Sequence, residues 1–182
     1  STKGEYYCLL YNLGISGDDT TRVLARFENE LLTGRFNEEE ELVVIFEMGI
    51  NDSMRINAEN EFRTPKEKFK ENLEELIKLA RKYTDKIVFV GLSPAVDDIL
   101  DPIPWHPAGT YKTEYIKEFD GMIKDVCREN DLLFIDTLTP FMEKDYQKLL
   151  VSDGIHPNSE GHKFIFEIVK NGGSELSVLL DA

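Results

Sequence analysis

The strongest constraint in this sequence is a rhythm: short, continuous apolar runs alternate with longer stretches whose apolar residues recur every three or four positions. Leu42 to Phe46 (LVVIF), Lys86 to Val90 (KIVFV) and Leu132 to Ile135 (LLFI) are runs of the kind that parallel sheets bury on both faces. A fourth, Tyr6 to Leu13 (YYCLLYNL), ends in the Gly14, Ser16, Gly17, Asp18 punctuation of a strand leaving a sheet. Between the runs lie helical stripes. Val23, Phe27 and Leu31 follow a cap at Asp18 or Asp19. Phe69, Leu73, Leu76, Ile77, Ala80 and Tyr83 follow Thr64 as cap, Pro65 as first helical residue and Glu67 as capping-box acid. Tyr115, Phe119, Met122, Ile123 and Val126 mark a third helix, and Phe164, Ile165, Ile168 and Val169 a closing one. Strand and helix in alternation predict right-handed βαβ crossovers. The expected fold is therefore α/β, a three-layer α/β/α sandwich with helices on both faces of a parallel sheet and chemistry at the carboxyl ends of its strands.

No repeat, low-complexity tract or linker divides the 182 residues, so the expectation is a single domain spanning 1–182. With 35 acidic and 21 basic side chains the formal charge is −14, which opposes a phosphate backbone and argues against nucleic acid as a partner. The apolar runs are far too short to span a bilayer. With no charged-then-apolar leader ahead of the first strand-like run, the sequence reads as cytoplasmic. Cys8 and Cys127 have no metal-ligand spacing and read as buried, reduced thiols. Neither a phosphate-cradling glycine loop nor a dinucleotide fingerprint is present, and the expectation is no cofactor and no metal.

Three short segments sit where such a fold places chemistry: Asn12 to Asp18 (NLGISGD), Gly49 to Asp52 (GIND) and Asp153 to Pro157 (DGIHP). Asp153 and His156 are three apart in a turn around Gly154, a spacing that lets the carboxylate accept a hydrogen bond from Nδ1 and leaves the other ring nitrogen as a base. Asn51 can aim an amide NH₂ into a cleft, and Gly17 can present a bare backbone N–H. Both are donors of the type that stabilises an oxyanion.

In these segments the sequence resembles the SGNH, or GDSL-type, hydrolase family of serine esterases and lipases. Gly17 matches the family's second block, Asn51 the third, and Asp153 with His156 the fifth, in the family's order, and the likeness runs from about Tyr7 to Val169. The resemblance implies a parallel sheet of about five strands, Asp153 and His156 as catalytic residues, Gly17 and Asn51 in the oxyanion hole, and a small-molecule ester as substrate. It also exposes a gap. The family's first block, a Gly-Asp-Ser ending the strand that lies mid-sheet, does not occur: Gly17-Asp18-Asp19 lacks the serine, and Ser16, Ser53 and Ser93 fall where other loops belong. The expectation is thus that one strand and the nucleophile come from residues upstream of Ser1, and that without them the chain folds poorly. The competing class is a non-catalytic binding protein that keeps the fold and has lost its nucleophile.

Taken singly, each motif has a plainer interpretation. Asn51-Asp52 could be a turn, Gly17 a conformational glycine and Asp153/His156 a surface loop. His106, beside Trp105 and between prolines, reads as an exposed loop histidine, with lining of the substrate entrance as the alternative. His162 reads as structural. The acidic run Glu38 to Glu41 and the Asp97, Asp98, Asp101 cluster read as solvated surface.

Overall fold

Parallel pairing joins three of the four apolar runs. The computed structural model describes residues 9–33 and 40–172, which form α1 (Thr20–Leu32), β1 (Val44–Phe46), β2 (Arg55–Ile56), β3 (Glu61–Phe62), α2 (Lys66–Ala80), β4 (Ile87–Val90), α3 (Asp97–Leu100), β5 (Gly109–Thr110), α4 (Thr113–Glu129), β6 (Leu133–Ile135), α5 (Leu138–Met142) and α6 (Ser159–Asn171). The parallel sheet has the order β1-β4-β6, with Phe46 opposite Phe89 and Phe89 opposite Phe134.

Strand alternation sorts the side chains onto two faces. Val44, Phe46, Ile87 and Phe89 meet Phe69, Leu73, Leu76 and Ile77 of α2 and Phe119, Ile123 and Val126 of α4 in the main core. Phe69, Leu73 and Leu76 are wholly buried, each contributing roughly 1.5–3 kcal/mol of transfer free energy. Phe46 and Phe89 lie 5.0 Å apart and Phe69 and Phe119 4.7 Å, as tilted aromatic pairs. Ile45, Val88, Val90 and Ile135 point to the other face, where the end of α6 reaches Ile135 through Gly172. This second face is covered less completely: Ile45 is 48% exposed and Phe166 of α6 is 59% exposed. No described helix is long and apolar enough to cross a membrane.

The structure departs from the sequence expectations in three places. Leu9 to Leu13 forms no strand, and Leu10 is 89% exposed; Tyr6 to Cys8 lie outside the described residues. The described parallel sheet therefore has three strands. A strand exists through its neighbour's hydrogen bonds, and β1 has a neighbour on one side only among the described residues. Pro65, not Thr64, occupies the N-cap of α2, without a side-chain cap bond, because the buried Thr64 hydroxyl is engaged with Asp52 instead. A small antiparallel sheet, β3-β2-β5, arises from segments too short for any periodicity to reveal. The α1 cap is Asp19, whose carboxylate accepts from the Arg22 N–H, and Cys127 is buried and free, its thiol pushed up to about 12 by burial.

Asp120 ties α4 to the loop after β4 by accepting the Leu92 N–H at 2.8 Å. Burial pushes its carboxyl up to about 6, against the lowering effect of the Leu92 bond, and the nearby Asp136 charge adds to the rise. A carboxyl whose folded value lies above its unfolded value binds its proton more tightly in the native state. Its contribution is therefore fully present below the unfolded value near 3.8 and is lost as pH rises through about 6. Wild type should lose roughly 3 kcal/mol relative to Asp120→Asn over that window, from about 1.4 kcal/mol per unit. Urea unfolding of both at pH 4 and pH 7 tests this, and parallel pH profiles would refute it.

Candidate active site

The loop carrying Asp153 and His156 is closed before its side chains are placed. It runs from a 3-10 turn at Tyr146–Leu149 to α6, and an isolated bridge pairs Leu150 with Pro157 across its neck. The Val151 N–H donates to the His156 carbonyl at 2.8 Å, and the Gly154 N–H to the Val151 carbonyl at 3.0 Å. Gly154 has φ +82°, a conformation that favours glycine, at the tip of this turn. Asn158 then caps α6, accepting from the Glu160 and Gly161 amides while its own NH₂ donates to the Lys148 and Leu150 carbonyls.

Within this frame Asp153 Oδ1 accepts from the Ile155 and His156 amides at 2.9 and 3.1 Å, and Oδ2 lies 2.7 Å from His156 Nδ1. Partial burial pushes the Asp153 carboxyl up, but the two amides and the imidazole together outweigh it and hold it below its ordinary value. An ionised carboxylate can only accept, so Nδ1 carries the proton and Nε2 keeps the basic lone pair. The imidazole is 67% exposed, and Nε2 has no partner among the described residues.

Gly17 and Asn51 come together through a buried carboxylate. Asp52, wholly buried, accepts the Thr20 N–H at 3.0 and 3.1 Å, the Thr20 hydroxyl at 2.6 Å, and the Thr64 hydroxyl. Burial raises its pKa, and the three donors partly offset the rise. Asn72 of α2 donates to the Thr20 and Thr21 hydroxyl oxygens, both at 3.0 Å, so the start of α1 is pinned onto the loop after β1. Asn51 Nδ2 then donates to the Asp18 carbonyl at 2.9 Å. Its second N–H has no acceptor among the described residues, and neither has the Gly17 N–H. Gly17 sits at φ +80°, held by Arg63, which donates to the Gly17 carbonyl at 2.9 Å and to Asp19 at 3.0 Å.

Gly17 and Asn51 line one cavity of about 310 Å³, walled further by Arg63, Trp105, His106 and Tyr111. His106 is thus both exposed and at the cavity. Asp153 and His156 stand outside this lining, as a pair on their own loop. Ser53 is buried and donates to the Ile50 carbonyl at 2.8 Å, Ser93 is buried, and no described serine hydroxyl reaches His156. Arg63 and Tyr111 escaped sequence reasoning because neither belongs to a recognisable block. A second hollow, between Arg55, Asp101 and Lys112, has polar groups that pair with one another: Lys112 with Asp101 at 2.9 Å and Arg55 with Tyr115 at 2.9 Å.

The described molecule is thus a parallel α/β domain with a carboxylate–imidazole pair on one loop and, on two others, N–H donors that have no acceptor among the described residues. The chain belongs to the GDSL-like lipase/acylhydrolase family, whose model matches residues 4–164. Solved structures agree on the fold. A lipase/acylhydrolase from Enterococcus faecalis superposes with a TM-score of 0.66 at 20% identity, over 86% of this chain and 71% of that one. A GDSL-like lipase from Bacteroides thetaiotaomicron gives 0.68 at 20%, over 90% and 74%, and an acetylxylan esterase from Geobacillus stearothermophilus gives 0.66 at 19%, over 88% and 70%. In sequence the chain is 23% identical to the uncharacterised lipoprotein YqeF of Bacillus subtilis, over 90% of this chain and 72% of that protein. Family membership supports hydrolysis of ester bonds.

The packing of α6 on the Asp153/His156 loop has a test of sign. A Cβ on Gly161 would stand 2.2 Å from the Leu149 carbonyl oxygen. Helix propensity alone favours Gly161→Ala by up to about 1 kcal/mol. The steric conflict should reverse that and destabilise by about 1–3 kcal/mol. A denaturation midpoint at or above that of wild type would show that α6 is not seated on the loop as described.

Proposed function

We propose that this protein hydrolyses carboxylic esters of small or soluble substrates by a Ser-His-Asp mechanism whose serine lies outside this sequence. The observation that carries the reading is the Asp153–His156 pair at 2.7 Å, which leaves Nε2 facing solvent as a base. His156 takes the proton of the attacking hydroxyl as the oxygen–acyl bond forms, then returns it to the departing alcohol. Asp153 holds the required tautomer and stabilises the imidazolium. Water, deprotonated by the same nitrogen, releases the acid and restores the serine. The Gly17 N–H and the second Asn51 N–H, which line one cavity, receive the negative charge that grows on the carbonyl oxygen.

Membership of the GDSL-like family and the acetylxylan esterase among the structural neighbours support an ester substrate with a short acyl group. So does a cavity of about 310 Å³, at the small end for ligand pockets. The chemistry calls for no cofactor. A relative in sequence is named a lipoprotein, which lends no support to the expected cytoplasmic location. The alternative reading is a non-catalytic binding protein that keeps the fold and cleft and has lost the nucleophile.

His156→Ala separates the two readings. In the intact natural protein it should lower kcat on a short activated ester by at least about 10²-fold with an unchanged unfolding midpoint, since general-base catalysis contributes about 10²–10⁴. Retention of more than about a tenth of wild-type kcat would reject His156 as the base. A wild-type protein inert towards such esters, yet retaining them, would favour the binding protein.

A further inference from the structure

Asn51 can serve an oxyanion only if its amide faces the right way, because a flipped amide presents a lone pair to the developing negative charge. The carboxamide is nearly symmetric in shape, so its neighbours decide the orientation. One neighbour is the Asp18 carbonyl, an acceptor, against Nδ2. The other is the Tyr111 hydroxyl, which donates to Asn51 Oδ1 at 2.9 Å.

We infer that Tyr111 is a positioning residue of this site: its hydroxyl fixes the Asn51 amide so that the free N–H is available to the oxyanion. The inference rests on the oxyanion role proposed for Asn51. In the flipped amide Oδ1 would oppose the Asp18 carbonyl, acceptor against acceptor, so the carbonyl selects the orientation. The Tyr111 hydroxyl then holds the Oδ1 that this orientation presents, and without it the amide is anchored at one end only. The Tyr111 residue is 6% exposed, and burial pushes the phenol up to about 12, so at neutral pH it remains a protonated donor.

The small antiparallel sheet explains how a residue 60 positions away reaches Asn51. The chain leaves Asn51 and within a few residues enters β2, where Arg55 pairs with Thr110 and Ile56 with Gly109 of β5. Tyr111 follows at once, and its N–H donates to the Leu100 carbonyl at 3.2 Å. Alternation places Tyr111 and Met54 on the cavity side, while Thr110, Lys112 and Arg55 face the polar hollow opposite. On this view the sheet is the device that seats a phenol on the oxyanion donor. Since Tyr111 acts through Asn51 and not on the reacting atoms, its loss should appear in kcat and vanish when Asn51 is absent.

The experiment is a double-mutant cycle in the intact natural protein on a short activated ester, with unfolding midpoints measured in parallel. Tyr111→Phe, which keeps the ring and removes the hydroxyl, should lower kcat about tenfold with KM little changed. Asn51→Ala should lower kcat by about 10²–10³. In the Asn51→Ala background, Tyr111→Phe should then cost less than about twofold. The Asn51 side-chain NH₂ pair in a ¹H–¹⁵N spectrum, assigned by its loss in Asn51→Ala, should shift and broaden in Tyr111→Phe. A full tenfold loss in the double variant, or an unchanged NH₂ pair, overturns the positioning role alone. Unchanged kcat in Asn51→Ala, or an inert wild type, overturns the proposed use of the site and the positioning role with it.

Discussion

The buried carboxylate of Asp52 is the constraint on which the arrangement of the loops depends. A charge out of water is tolerated only when its lone pairs are filled, and here the backbone and hydroxyl of Thr20 and the hydroxyl of Thr64 fill them. Those donors belong to the start of α1 and the approach to α2, whereas Asp52 itself follows β1. One side chain thus gathers three segments distant in sequence. The N-terminal end of a helix is also where a negative charge is best received, since its first N–H groups have no partners within the helix.

From that knot the neighbouring positions follow. Asp19 caps α1 and holds Arg63, Arg63 holds the Gly17 carbonyl, and Asn51, one residue before Asp52, bonds the Asp18 carbonyl. Each bond fixes a backbone group that would otherwise move, so the Gly17 and Asn51 donors share one cavity wall. The Asp153/His156 loop is secured by a different principle. Most of its bonds are short-range, from Asn158, Val151 and Gly154, and it is tied to the body of the fold by the Val96 N–H, which donates to the Gly154 carbonyl at 2.8 Å, and by the close seat of Gly154 on Ile99. One half of the candidate site is a long-range buried network and the other a locally bonded turn anchored to the fold at Gly154.

The main sheet and the amphipathic helices were legible in the sequence because they rest on local periodicity. Phe69, Leu73, Leu76 and Ile77 repeat at helical spacing, and KIVFV can be buried only as a strand between neighbours. The Asp153/His156 bond was legible for a similar reason, being three residues long. Tyr6 to Leu13 shows the limit of that logic. Its composition suits a strand, but Leu9 to Leu13 takes no place in the described sheet, because strand formation requires a partner that composition does not supply. Thr64 shows it again: its type suits an N-cap, but a buried carboxylate competed for its hydroxyl.

By itself the sequence determined the α/β alternation, the faces that become the core and the residue types at the candidate site, all consequences of chemistry read within about two turns of chain. Tertiary structure alone decided that Asp52 is a buried anchor, that Arg63 holds the Gly17 carbonyl, and that Tyr111 meets Asn51 across 60 residues. These are pairings of single polar groups at long separation. They carry no periodicity, and each is selected by desolvation: once the surrounding apolar residues pack, a polar atom must take whichever partner the fold has brought within reach.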